Sequence, residues 1–307
     1  MDLYRKRQPP AITRALMLLL NRVRLLAVVA AIAILAPGGA SAFASQGPSF
    51  ATLRTAGAAE VKDVYVRPPA NLSDEPMTVL VALHGMGGNG ADFGSALASQ
   101  ADANGWVIVA PTIAYGDWTD PGQITREDPA LIAWLSDYIA NLPQRTGLNV
   151  QPQVLLFGHS RGAQLALRFT EIHPHQVTGV AAVSAGTYTL PVSTDARTGQ
   201  SLDYPYGIAN LAQTDGGQSF NAADFTTVPM WVAVGGADTN TADVPAAWSP
   251  YIGTTRVQRA QRFVQALHAL GADATLTVFP NVGHTLTDDM RTAGCGALAT
   301  DEAADQA

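Results

Sequence analysis

Gly158-His159-Ser160-Arg161-Gly162 sets a serine between two glycines at the point where the apolar period of the chain changes. Upstream, Val154 to Phe157 are four apolar residues in a row, as in a buried strand; downstream, Ala163, Leu165, Ala166 and Phe169 recur at helical spacing. A serine in so tight a strand-to-helix turn is held in a strained backbone conformation, and a Cβ at the glycines would collide with the neighbouring strand or helix. Its hydroxyl then stands clear of the sheet edge. Such a hydroxyl attacks a carbonyl only if a base takes its proton and if donors receive the charge that develops on the carbonyl oxygen. The amide of Arg161, first in the new helix, is placed to be one of those donors. The base has to come from another part of the chain.

The elements that would bring it there are legible as alternating patterns. Apolar runs at 61–66, 77–83, 106–110, 154–157, 179–184, 230–234 and 274–279 read as strands, and 91–103, 127–141 and 257–268 read as helices. Several strands have almost no polar alternation, as a sheet covered on both faces requires. Strands alternating with helices predict a mostly parallel central sheet with helices on both faces. Pro111 is expected to end the third strand, leaving 112–125 as a loop in which Tyr115 and Trp118 either line a substrate cleft, since ligands in open α/β sheets bind at the C-terminal ends of strands, or pack under the loop. Residues 186–228, with Tyr188, Tyr204, Tyr206 and Phe220 scattered through them, have no clear period and read as a lid-like excursion.

With Gly158 to Gly162 as the nucleophile turn, the chain resembles the α/β-hydrolase family over residues 60 to 295. The resemblance implies that fold, with the loop-rich excursion after its sixth strand, and a nucleophile, acid and base in the order Ser160, Asp238, His284. Asp238 lies four residues past the strand 230–234, where the family carries its acid; Asp243 and Asp215 are rivals. His284 follows the last strand through Pro280-Asn281-Val282-Gly283 and would be the base. The loop His84-Gly85-Met86-Gly87-Gly88 corresponds to the family's second oxyanion segment, with the Met86 amide as donor. It lacks the Gly-Lys-Ser/Thr ending of a phosphate loop. His84 itself reads as a loop-stabilising residue, and His84, Gly85, His159 and Tyr188 join Tyr115 and Trp118 as candidate cleft residues. No metal ligand spacing appears among the histidines, and no metal or other cofactor is expected.

The first 42 residues read as a secretory signal peptide: six basic residues, an apolar run from Leu25 to Ala36, the breaker Pro37-Gly38-Gly39 and the small residues Ala40-Ser41-Ala42. The apolar run is shorter than the ~20 residues a spanning helix needs, so no stable membrane anchor is expected. Residues 43–60 then form a linker, 61–295 the hydrolase domain and 296–307 a frayed acidic tail. Removing the six basic residues and Asp2 of the leader from totals of 18 and 25 leaves a net charge of −12, which disfavours nucleic acid and anionic lipid as partners. Cys295 is the single cysteine, so no internal disulfide can form.

The leader and the His84 loop look like those of secreted carboxylesterases and polyester depolymerases, so the expected partner is a small or polymeric ester. Arg161 departs from many bacterial polyester depolymerases, which carry another residue after the serine. A serine peptidase of the prolyl type would share the three catalytic residues but should need a Glu-Glu clamp, and 186–228 contains no glutamate. A non-catalytic binding module is expected to have lost Ser160, Asp238 or His284, and all are present.

Overall fold

The structure, a computed structural model, describes residues 59–214 and 219–305. Seven strands, β1 (Glu60–Arg67), β2 (Met77–Leu83), β3 (Val107–Ala114), β4 (Val150–His159), β5 (Val177–Val183), β6 (Met230–Gly235) and β7 (Ala274–Phe279), form one sheet. Their spatial order is β1-β3-β2-β4-β5-β6-β7, with β1 antiparallel to β3 and every other pair parallel. Six helices surround it: α1 (Gly90–Ser95), α2 (Ala98–Asn104), α3 (Pro121–Ala140), α4 (Arg161–Ile172), α5 (Arg256–Leu270) and α6 (Asp288–Asp305), with shorter helical turns between them.

Although the central strands are apolar at nearly every position, the pleat divides their side chains between two cores. Val79, Val81, Leu156, Val180 and Val232 point to the layer that holds Leu135 of α3, Phe169 of α4 and Phe263 of α5. Leu80, Leu155, Phe157, Ala181 and Ala233 point to the opposite layer with Leu97, Trp106, Met290 and Leu298. The sheet is therefore sandwiched, as its continuous hydrophobicity predicts. Among the described residues, no helix is long and apolar enough to cross a membrane.

Several boundaries differ from the expectation. Strand β3 runs through Pro111 to Ala114, because β2 pairs only with Val107 to Val109 and the proline lies where β3 is bonded to β1 alone. Helix α3 begins at Pro121, not at Glu127: Asp120 caps it by accepting from the Gly122 amide, and a proline in the first turn lacks only an N–H that has no helical partner. The tail is not frayed at 296. Helix α6 continues to Asp305, with Met290 and Leu298 buried at a spacing of two helical turns, and Trp106 Nε1 donates to Glu302 Oε2 at 2.6 Å.

Nor do the described residues of 186–228 stand apart from the core as a lid. The segment follows the fifth strand of this sheet rather than a sixth, and Tyr188, Leu190, Leu202, Tyr204 and Phe225 are buried in the core beside α4 and α5. Thr187 and Thr189 accept hydrogen bonds from Arg168 of α4 at 2.8 and 3.0 Å. Large apolar side chains without a period can still find a core when a neighbouring helix supplies polar partners for the irregular backbone between them. The expected leader, all of the linker except Ala59 and Glu60, and Asp215 lie outside the described residues; Glu60 opens β1.

Candidate active site

Ser160 stands between β4 and α4 with φ 54° and ψ −114°, a conformation that a residue with a Cβ adopts only when its surroundings impose it. They do so here from both sides. A Cβ on Gly158 would lie 2.6 Å from Ala163 Cα, and one on Gly162 would lie 2.0 Å from the Leu83 carbonyl oxygen. The Ser160 amide donates to Val183 O at 2.8 Å, tying the turn to the end of β5.

The loops after β6 and β7 are zipped together by Gly236 N to Phe279 O at 2.8 Å and Ala237 N to Val282 O at 2.9 Å. This pairing, with Asn281 in the left-handed region at φ 61°, brings Asp238 and His284 to the same place. Ser160 Oγ lies 3.0 Å from His284 Nε2, and His284 Nδ1 lies 2.8 Å from Asp238 Oδ2. A carboxylate can only accept, so Nδ1 carries the proton and the Nε2 lone pair faces the serine hydroxyl. The Asp238 side chain is almost completely buried, whereas that of His284 is about a third exposed. Burial alone would raise the Asp238 carboxyl, but the hydrogen bond from His284 and the charge of Arg256 outweigh it and hold the group below the usual carboxylate range. The rival Asp243 has an exposed side chain; only its backbone oxygen is used, by Arg256 Nη2 at 2.7 Å.

A cleft of about 550 Å³ opens at Ser160 and His284, its lining including the apolar Met86, Phe93 and Ala96 and the polar Asn89 and Asp92. Of the candidate cleft residues, His84, Gly85 and His159 line it. Gly85 is pressed against the nucleophile, since a Cβ there would be 3.2 Å from Ser160 Cβ. Met86 is 46% exposed beside it, and Arg161 is the first residue of α4. His159 stacks on the His284 ring, centroids 5.4 Å apart at 26°. Burial, reinforced by His284 and Arg256, lowers its pKa to about 3, so it is a neutral ring at ordinary pH. His84 is buried and structural, as expected: its Nε2 accepts from Ile113 N at 2.9 Å and its Nδ1 donates to Gly85 O at 2.6 Å. Burial lowers its pKa too.

Tyr115, Trp118 and Tyr188 are not in this cleft. Tyr188 is in the core, stacked on Phe263 at 4.7 Å. Trp118 packs on Gly186, with the Arg256 guanidinium 6.0 Å from the centre of its ring. Tyr115 lies behind the site, against His84 and Arg161.

Two features were not anticipated from the sequence. Arg256 Nη1 donates to Asp238 Oδ1 at 2.9 Å, and nothing local to the start of a helix signals such a role. The Arg161 side chain turns away from the cleft and forms a fully buried ion pair with Asp128, which also takes Arg168 Nη1 at 2.8 Å. A signal for this existed: Asp128 shares the apolar face of α3 with Leu131 and Leu135 at helical spacing, where a charge needs a partner.

A hydroxyl, an oriented imidazole and a buried carboxylate in one line, at the C-terminal edge of a parallel sheet, can carry out proton-assisted nucleophilic attack. Comparison with known proteins places the fold. The model of the alpha/beta hydrolase family matches residues 79–294. Among solved structures, the chain is similar to LpqC, a poly(3-hydroxybutyrate) depolymerase from Bordetella parapertussis, at 25% identity, covering 78% of this chain and 82% of that one with a TM-score of 0.55. It has the same fold as poly(aspartic acid) hydrolase-1 from Sphingomonas sp. KT-1, at 21% identity, coverage of 85% and 97% and a TM-score of 0.59. It also shares the fold of a phospholipase/carboxylesterase from Dyadobacter fermentans, at 20% identity, coverage of 78% and 98% and a TM-score of 0.51. No curated protein matches the sequence. With the family model spanning well over half of its residues, the chain belongs to the alpha/beta hydrolase family.

Proposed function

We propose that this protein is a serine hydrolase that cleaves carboxylic esters through an acyl-enzyme intermediate. The observation that carries the reading is the continuous chain Ser160 Oγ, His284 Nε2, His284 Nδ1, Asp238 Oδ2, with links of 3.0 and 2.8 Å. Ser160 Oγ attacks the ester carbonyl carbon as its proton passes to His284 Nε2. The amides of Met86 and Arg161 receive the charge on the carbonyl oxygen. Collapse breaks the carbon–oxygen bond to the alcohol, which leaves with the proton from His284. Water, deprotonated by the same ring, then attacks the acyl-enzyme and releases the acid. Asp238 keeps the ring in the required tautomer and stabilises it when charged.

An open cleft with Met86, Phe93 and Ala96 in its lining suits an uncharged acyl or alcohol chain. Likeness to a polyester depolymerase at 25% identity supports polymeric esters as a substrate class. Because the Arg161 side chain is withdrawn into the core, its charge does not weigh against such substrates. The pattern of the first 42 residues supports secretion, with cleavage near Ala42.

Wild type and Ser160→Ala, expressed with the leader, should be compared on p-nitrophenyl esters of increasing chain length, on polyester films and on an aminoacyl amide. The expected result is ester turnover by the wild type in the culture medium and none by the folded variant. Turnover by Ser160→Ala would remove the mechanism, and preference for the amide would replace the esterase reading with a peptidase.

A further inference from the structure

The two amides assigned to the oxyanion come from segments 75 residues apart, at Met86 and Arg161, and neither segment alone determines their separation. The pairing of β2 with β4, which sets Leu83 opposite Gly158, brings the two segments together, and what packs behind them holds the final spacing. Behind Arg161, its own guanidinium is held by Asp128 and lies 4.9 Å from the centre of the Tyr115 ring. Behind the Met86 loop, the His84 ring is bonded to Ile113 N and to Gly85 O, and its edge meets the same tyrosine, centroids 5.5 Å apart at 66°. One aromatic ring thus touches the side chains that anchor both segments. Its hydroxyl is buried with no protein hydrogen-bond partner, so the ring, not the O–H, makes these contacts. The ring is in turn fixed by its place directly after β3 and by the hydrogen bond from Gly116 N to Glu127 at 3.2 Å.

We propose that Tyr115 is a positioning residue for ester hydrolysis: wedged between the Arg161 guanidinium and the His84 ring, it sets the spacing of the two oxyanion donors. This rests on the serine-hydrolase reading and adds to it a residue that never meets the substrate. Arg is suited to the far side of the wedge because its planar cation can take a carboxylate at its edge while it faces an aromatic ring. A displacement of about 1 Å at a donor can cost about 100-fold in rate, because the hydrogen bond to the oxyanion strengthens only in the transition state.

The test compares Tyr115→Ala, Tyr115→Leu, Tyr115→Met and Tyr115→Phe with wild type and Ser160→Ala. The readouts are kcat and KM on p-nitrophenyl acetate, inhibition by an alkyl trifluoromethyl ketone that forms a tetrahedral adduct with the serine, and thermal midpoint. Tyr115→Ala and Tyr115→Leu should lower kcat about 10- to 100-fold with KM within about 3-fold, and weaken the ketone in parallel. Tyr115→Phe should restore both. Should Tyr115→Ala and Tyr115→Leu not fold, Tyr115→Met, which keeps most of the side-chain volume but not the planar ring, should give the same loss confined to kcat. Unchanged kcat and ketone affinity in the folded variants would overturn the proposal, as would a rise in KM alone, or a Tyr115→Phe enzyme as impaired as Tyr115→Ala. If Ser160→Ala is inactive while these variants are unimpaired, only the wedge is wrong; an active Ser160→Ala removes the serine mechanism and the wedge with it.

Discussion

Arg256 Nη1 donates to Asp238 Oδ1 at 2.9 Å, on the carboxylate oxygen that His284 does not use. The acid is thus held between a cation and the imidazole, nearly free of solvent. Arg256→Gln should lower stability by about 3 kcal/mol, because a buried carboxylate loses its cationic partner. Thermal unfolding of the purified variant checks this.

Asp238 and Asp243 lie close in sequence but differ in role. Asp238→Asn should lower kcat by about 10⁴-fold, since an amide no longer selects the tautomer with Nε2 free. Asp243→Asn should stay within about 2-fold, because Arg256 uses the backbone oxygen of Asp243. Steady-state kinetics on one short ester distinguishes the two.

Two glycine-to-alanine changes should have opposite signs. At Gly162 the new Cβ would be 2.0 Å from Leu83 O, so backbone must move; the expected cost is about 3 kcal/mol, the upper end for overpacking. At Gly296, an exposed position in α6, a Cβ meets nothing within 4 Å. There alanine should stabilise by up to about 1 kcal/mol, raising Tm by about 2–4 °C in a domain of this size. Thermal melts of the purified variants report both.

Asp301 packs against the start of β5, and burial together with the nearby Asp273 raises its pKa to about 6. The folded state therefore favours its neutral form. Below the ordinary carboxylate range Asp301 costs nothing; as pH rises through about 6 it must ionise in place, and stability falls. Asp301→Asn should melt with wild type near pH 3.5 and about 2–4 °C above it at pH 7.5. Melting curves at the two pH values settle the sign.

Much of the candidate site is legible in the sequence. Ser160 announces itself because a change of period across two glycines is a local event. Asp238 and His284 could be picked out because each follows an apolar strand at the edge where the resemblance expects it. Tyr115, Trp118 and Tyr188 cannot be placed from the sequence for a common reason: an aromatic residue in an irregular stretch can face cleft or core, and nothing within a few residues decides which. The same holds for 186–228, whose buried side chains match partners on α4 and α5 that sequence distance hides. The proline at 111 and the Pro121 start of α3 misled because each is a breaker only if it occupies a particular hydrogen-bonding position.

By itself the sequence determined the layered α/β sheet and the strained serine, since these follow from hydrophobic period and from glycine sterics; the two residues expected to partner the serine were named through the family resemblance. Only the tertiary structure decided that Arg256 holds the acid, that Asp128 draws the Arg161 side chain out of the cleft, and that Tyr115 stands behind the site. Buried charges and rings are placed by whichever distant groups can satisfy or pack against them in a medium that excludes water, and that choice is made between segments, not within one.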